Sequence, residues 1–154
     1  MISLEQLFKV LPFAIEWAEE QERIILEKGI PLNEDLKALA ALIGVEQIEK
    51  IRLLQVTNIP SPTNPILQPA AELAALTTKI GVAFRYGMYV KADYWLQRRL
   101  IIHELTHTLQ YERLGGIGPF IKQYLMEVLT EGYFNSSLEQ EALRTEQKLS
   151  EFIS

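Results

Sequence analysis

The sequence predicts an α+β fold that is mostly helical, with a small sheet packed against a central helix. Apolar residues recur at helical spacing over most of the chain, whereas residues 80–91 alternate with a period of two. The helical segment that ends at residue 114 is apolar on two opposite sides, which is typical of a central helix. At 154 residues the chain is expected to form one domain, residues 1–154. Its helical N-terminal part covers residues 1–60, and residues 80–154 carry the strand and the last three helices.

Two helices are predicted within residues 3–44. Their ends are marked by capping residues and glycines: Ser3 with Gln6, Gly29, Asn33 and Gly44. Pro12 is expected to break or kink the first helix, because proline has no backbone N–H to donate within a helix.

A proline-rich stretch follows. Residues 59–69 contain four prolines, which exclude regular structure, so we expect a surface loop there. A short strand is predicted over residues 53–57, before this loop. Pro69 is expected to open a short helix that continues to residue 79.

Residues 80–91 carry the clearest strand pattern in the sequence. One set of alternating side chains is expected to face the same way: Val82, Phe84, Tyr86, Met88 and Val90. We expect one continuous strand, whose edge could pair with an extended peptide. The alternative is an internal strand with both edges already paired.

Three helices are predicted after this strand. Asp93 is expected to cap the first of them, over residues 94–114, and Gly115-Gly116 to end it. The other two helices are predicted over residues 117–132 and 137–153. Ser136 can cap the last helix, with Glu139 three residues later completing a capping-box pattern.

Composition narrows the range of partners. The formal net charge of −5 argues against nucleic acid or an anionic membrane as the main partner. The chain has no cysteine, which excludes disulfides and thiolate metal sites. No signal peptide and no apolar run long enough to cross a bilayer is seen. We expect a cytoplasmic protein that binds neither nucleic acid nor membrane, and the sequence leaves its oligomeric state open.

The most informative stretch holds both histidines of the chain. His103-Glu104-Leu105-Thr106-His107 places the two imidazoles one turn apart on a helix, about 40° apart around its axis. This is the HExxH pattern, in which both imidazoles bind one zinc ion and the glutamate can reach a metal-bound water. Other divalent ions also occupy sites made of two histidines and a carboxylate.

A catalytic zinc site needs a third protein ligand, and only carboxylates remain to supply it. Asp93 is too far from the histidines along the predicted helix. The downstream candidates are four glutamates: Glu127, Glu131, Glu139 and Glu141. Their spacing alone does not choose among them.

A resemblance ranks these candidates. HExxH followed on a later helix by Glu139-Gln140-Glu141-Ala142, 32 residues after His107, resembles the gluzincin metallopeptidases, whose third ligand often lies in an ExxA context. The stretch from His103 through residues 111–116 to Ala142 also resembles small uncharacterised proteins of this type. The resemblance covers about the last half of the chain. It implies a minimal zincin-like domain with Glu139 as the preferred third ligand and Glu141 next.

The chain departs from this pattern at one position. Many gluzincins have Asp or Asn directly after the alanine, where it holds a zinc-bound histidine, but this chain has Leu143. Such a partner fixes the tautomer of the imidazole and raises its basicity. Another acceptor must serve here, and the candidates are Asn135, Glu146 or a backbone carbonyl.

The predicted function is zinc-dependent hydrolysis of peptide bonds in a peptide or protein substrate. Glu104 would act as the general base toward a metal-activated water. Four tyrosines are candidates to steady the oxyanion, with Tyr133 preferred for its position near the ExxA segment: Tyr86, Tyr89, Tyr111 and Tyr133. The alternative is a catalytically silent zinc-binding or protein-interaction module.

Overall fold

A computed structural model describes residues 2–150 of the chain. Within these residues, helices cover Leu4–Lys28 (α1), Glu34–Ile43 (α2), Gln68–Leu73 (α3), Arg98–Leu114 (α4), Ile117–Glu131 (α5) and Ser137–Ser150 (α6). The strands are Ile30–Pro31 (β1), Arg52–Val56 (β2), Gly81–Phe84 (β3) and Gly87–Lys91 (β4). The predicted fold class, α+β and mostly helical, is confirmed.

The strands form one mixed sheet in the order β1-β2-β4-β3. β2 and β4 are parallel, and the other two pairs are antiparallel. Each face of the sheet is covered by helices. One core contains residues of α1, α3 and α5 with Phe84 and Tyr89, and the other contains residues of α2 and α4 with Leu53 and Met88. This arrangement places α4 against the sheet, close to the edge strand β3.

The capping box at Ser3 is present, and of the two outcomes expected at Pro12 the break is wrong, because one helix, α1, runs through this residue. Buried residues on both sides of Pro12, Leu11 and Ala18 among them, anchor the helix in the core. Pro12 itself lies on the exposed side, where the carbonyl of Phe8, left without its usual donor, can bind water. Packing therefore overrides the local signal.

The predicted helix from Pro69 to residue 79 is only partly correct. α3 begins at Gln68 and ends at Leu73, and a separate 3₁₀ turn covers Leu76–Thr78. Ala75 between them has a φ of 53°, a left-handed conformation that a continuous helix excludes. The strand predicted over residues 53–57 is found as β2.

The continuous strand predicted over residues 80–91 is wrong: β3 and β4 form a hairpin that reverses at Arg85 and Tyr86. Arg85 has a φ of 59°, and Glu22 of α1 holds the turn. The Glu22 carboxylate accepts hydrogen bonds from the Arg85 guanidinium (2.7 and 2.8 Å) and from the Tyr86 backbone N–H (3.0 Å). β3 is an edge strand of the sheet, so the predicted edge exists on β3 alone.

The helix that carries the two histidines starts later than predicted. α4 begins at Arg98 with Gln97 as its cap, and Asp93 lies in a separate 3₁₀ turn. Leu96 has a φ of 62°, which prevents one helix from running through this segment. Asp93 is therefore not the N-cap of this helix.

The last two helices agree closely with the prediction. α5 ends at Glu131, and Ser136 Oγ accepts from the Glu139 backbone N–H (3.2 Å) at the start of α6. The other half of the predicted capping box is wrong, because the Ser136 backbone N–H donates to the Tyr133 carbonyl (3.4 Å) and the Glu139 carboxylate faces the histidines. The predicted end of α6 at residue 153 lies outside the described residues. No helix within residues 2–150 combines the length and the apolar character needed to cross a membrane.

Candidate metal centre

The centre is built where α4 packs against α6. His103 and His107 lie one turn apart on α4, and Glu139 lies in the first turn of α6. One ligand atom from each of the three lies within 4.8 Å of the others. The capping bond from Ser136 fixes the backbone of Glu139 and so helps to aim its carboxylate at α4.

The carboxylate of Glu139 lies between the two imidazoles. Its Oε1 is 2.9 Å from His103 Nε2, and its Oε2 is 3.3 Å from His107 Nε2. In tetrahedral zinc coordination, with bonds of about 2.0–2.2 Å, neighbouring ligand atoms are about 3.3 Å apart. Both distances from the Glu139 carboxylate to the imidazole nitrogens are therefore close to the separation of neighbouring zinc ligands.

The other nitrogen of His103 also faces a carboxylate. His103 Nδ1 is 3.1 Å from Glu146 Oε2, and Arg99 Nε donates to Glu146 Oε1 (3.1 Å). Glu146, a candidate named from the sequence, thus holds the histidine that Leu143 cannot hold. It lies seven residues after Glu139, two turns along the same face of α6.

The orientation of His107 follows from the hydrogen bonds of Gln110. The Gln110 amide nitrogen donates to the Leu138 carbonyl (3.0 Å) and to Glu141 Oε1 (2.7 Å). Its oxygen, 2.7 Å from His107 Nδ1, must therefore accept, so Nδ1 carries the proton. This tautomer leaves the lone pair of His107 Nε2 directed at Glu139, as a metal ligand requires.

This donor set favours a cation. The Nε2 lone pair of His107 faces the Glu139 carboxylate, and His103 lies between the carboxylates of Glu139 and Glu146. Lone pairs and carboxylate oxygens this close repel one another unless a proton or a metal lies between them. Burial opposes protonation of His103, but the hydrogen bond and charge of Glu139, with the charge of Glu104, outweigh it and raise the pKa of His103 to about 9. Burial likewise opposes ionisation of Glu139, but the two histidines hold its pKa well below the usual range.

Imidazole and carboxylate donors without thiolates suit zinc and other borderline divalent ions. The residues present therefore fit a zinc ion at His103, His107 and Glu139.

Comparison of the chain with protein-family models, with curated proteins and with solved structures finds no match. The resemblance to gluzincins therefore stays a prediction from the sequence motifs, and the support for the metal centre is its geometry.

The other three candidate ligands have different partners. Glu127 accepts from the Leu138 backbone N–H (3.1 Å) and so caps α6. Glu141 pairs with Arg113 (2.6 Å), whose hydrogen bond lowers the pKa of Glu141 to about 2. Glu131 is exposed at the end of α5. In the metal-ligand group found within residues 2–150, the carboxylate belongs to Glu139.

Glu104 faces a cavity of about 100 Å³ beside the ligands. The residue is 5% exposed. Apart from the backbone bonds of α4, the one hydrogen bond found for it within the described residues involves its main-chain oxygen, which accepts from Thr108 (3.5 Å). Among residues 2–150 its carboxylate therefore has no protein donor and opens toward the cavity that it lines with His107, as expected of a group that acts on a bound molecule.

Most of the cavity wall is apolar and comes from α1, α3, α5 and β3. Its polar lining residues lie toward the centre: Lys79, Glu104, His107, Tyr111, Tyr124 and Glu139. Of the tyrosines named from the sequence, Tyr111 donates to the Ala83 carbonyl (3.0 Å) and Tyr86 to Glu112 (2.9 Å). Tyr89 donates to Gln21 (2.7 Å). These three hydroxyl protons are already used within the fold.

Tyr133, the preferred tyrosine, has a different partner. Its hydroxyl oxygen accepts from Lys79 Nζ (2.9 Å), so its own proton can be donated elsewhere. Burial raises the pKa of Tyr133, which keeps the hydroxyl protonated at neutral pH.

Sequence reasoning missed Lys79 and Tyr124. Tyr124 Oη donates to Glu139 Oε2 (2.6 Å), and Lys79 Nζ lies 4.0 Å from the same oxygen. Tyr124 lies on the buried face of α5 with an ordinary apolar spacing. Lys79 follows a 3₁₀ turn in a segment without a motif, so neither carried a signal in the sequence.

Proposed function

We propose that this chain is a zinc-dependent metallopeptidase with His103, His107 and Glu139 as the metal ligands. The observation that carries the proposal is the convergence of both imidazoles on one buried carboxylate. Glu104, whose carboxylate has no protein donor among the described residues, lines the adjacent cavity. Glu146 and Gln110 hold the outer nitrogens of the imidazoles, as the outer partners of metal-bound histidines do.

Each residue then has a defined task. Zinc bound at such a site lowers the pKa of a water to about 7 and polarises a carbonyl. Glu104 takes the proton of the attacking water and delivers it to the leaving amine. Tyr133 donates its free hydroxyl proton to the carbonyl oxygen as negative charge develops there. The cavity beside Glu104 and His107 provides room for part of the substrate.

The test compares Glu104→Gln with the wild type, each loaded with zinc, on a mixed peptide library read by mass spectrometry. Glutamine is nearly isosteric but cannot take a proton, so we expect zinc content to be unchanged and cleavage to fall by at least about 100-fold. Glu131→Gln, at an exposed glutamate, is the matched control and should cleave like the wild type.

A wild type that binds zinc but cleaves no peptide would overturn the peptidase and support the silent zinc-binding or protein-interaction module. A Glu104→Gln variant that cleaves as fast as the wild type would overturn the role of Glu104.

A further inference from the structure

Lys79 is a largely buried cation beside the metal centre, and the tasks assigned above do not use its charge. Its side chain is 13% exposed. Within residues 2–150 it is the one lysine or arginine that lines the cavity shared with Glu104 and His107. Burying an ammonium group is costly unless its charge is balanced, so its presence calls for a counter-charge.

The contacts of Lys79 with the other described residues leave one of its donors free. Nζ donates to Tyr133 Oη (2.9 Å) and more weakly to Tyr124 Oη (3.4 Å). It is 4.0 Å from Glu139 Oε2, too far for a hydrogen bond. Because an ammonium group has three N–H donors, one of them remains for a molecule in the cavity.

Both the backbone and the side chain of Lys79 are held in place. The Lys79 backbone N–H donates to the Leu76 carbonyl at the end of a 3₁₀ turn (3.3 Å), and β3 begins two residues later. The ammonium group also lies over the ring of Tyr133, 4.5 Å from its centre. A charge held in this way is preorganised and loses little freedom when a ligand arrives.

The charges of the loaded centre do not balance without an anion. A divalent cation offsets Glu104 and Glu139, while both histidines are neutral as ligands and Tyr124 and Tyr133 are uncharged phenols. Farther out, Glu146 pairs with Arg99, and Glu141 pairs with Arg113. The charge of Lys79 is then in excess and attracts an anion within a few ångströms of the metal ligands.

We infer that Lys79 is a catalytic residue, whose free N–H binds the oxyanion that forms on the scissile carbonyl oxygen. This inference rests on the proposed peptidase. The water oxygen bonds to the carbonyl carbon, and the carbonyl electron pair moves to its oxygen, where Lys79 and Tyr133 stabilise it. The pair returns as the C–N bond breaks, and the amine leaves with the proton that Glu104 carried.

The test uses cobalt in place of zinc, because the visible absorption of Co²⁺ reports what binds beside the metal. The probes are inorganic phosphate, a tetrahedral anion, and imidazole, a neutral metal ligand. In Lys79→Gln, which keeps an N–H donor without the charge, we expect phosphate affinity to fall at least about tenfold and imidazole affinity to stay within about twofold. Lys122→Gln, at an exposed lysine of α5, is the matched control and should match the wild type for both probes.

A Lys79→Gln variant that binds phosphate like the wild type would overturn the role of Lys79. Equal losses for phosphate and imidazole would also overturn it, since they indicate a distorted centre. The wild type gives an independent measurement should the variant not fold: phosphate must bind at least about tenfold more tightly than imidazole, and the reverse order contradicts an excess positive charge. A wild type that takes up no cobalt would instead overturn the metal centre itself.

With a cleaved peptide from the library as substrate, Lys79→Gln should lower kcat by about 100-fold or more and leave KM within a few fold, because the oxyanion exists only in the transition state. A rise in KM at unchanged kcat would contradict the inference and assign Lys79 to substrate binding.

Discussion

Zinc affinity should increase steeply with pH, because zinc must displace a proton from His103. The hydrogen bond and charge of Glu139, with the charge of Glu104, raise the pKa of this imidazole to about 9. At neutral pH the metal-free centre therefore holds a proton where the metal would bind. Glu139 stays ionised throughout this range, since its pKa lies well below the usual value.

The size of the effect follows from this pKa. Below about 9, each pH unit lowers the fraction of neutral His103 tenfold, and the apparent zinc affinity falls by the same factor. At about pH 7 roughly one centre in a hundred is free of the proton. From about pH 6.5 to about pH 8 we expect the zinc affinity to rise about 30-fold, equivalent to about 2 kcal/mol.

The measurement is competition with a zinc-binding dye whose own pH dependence is calibrated, in buffers that do not bind zinc. Calorimetry in two buffers of different ionisation enthalpy should show release of about one proton per zinc at neutral pH. A zinc affinity that stays constant within about twofold across this pH range would refute the reasoning.

Two variants test the residues that hold the metal-binding histidines, and a third tests the packing of the sheet against α1. Glu146→Ala removes the acceptor on the outer nitrogen of His103 and should weaken zinc binding about 10–100-fold in the same dye competition. Gln110→Leu removes the acceptor that fixes the tautomer of His107 and should weaken zinc binding at least about tenfold. Unchanged zinc affinity in Glu146→Ala or in Gln110→Leu would contradict the role of the residue concerned. In Gly87→Ala the new Cβ would meet Ile25 Cβ at 2.9 Å, so urea denaturation should show a loss of about 1–3 kcal/mol of unfolding free energy.

Features with a local cause could be predicted from the sequence. Ser3, Asn33 and Ser136 all accept from the backbone N–H three residues later, because the short side chain at a helix start has few other geometries. His103 and His107 were predicted as neighbours from helical geometry alone. Their spacing is fixed once the segment is a helix, whatever packs around it.

Features that tertiary contacts decide were predicted wrongly. The turn at Arg85 and Tyr86 contains no glycine, asparagine or aspartate, the residues that usually mark a hairpin. It is held by Glu22, more than 60 residues earlier in the chain. The period-two pattern therefore runs through the turn without interruption, and the turn becomes evident only from its contact with α1.

The candidate site shows the same division. HExxH indicated two of the three ligands, but the choice among four glutamates depended on how α6 packs against α4. Only the weak ExxA pattern favoured Glu139 in the sequence. Glu146 could be named because it shares a face of α6 with Glu139. Lys79 could not, since the loop between α3 and β3 brings it to the centre without any periodic signal.

The central claim is tested most directly by zinc content after chelator-stripped protein is reloaded and desalted. Wild type should retain about one zinc per chain, and so should Glu131→Gln, which alters an exposed carboxylate that the sequence also offered as a ligand. Glu139→Gln should lose the metal, because it removes the carboxylate that lies between the two imidazoles. Zinc retained by Glu139→Gln as in the wild type would contradict the account.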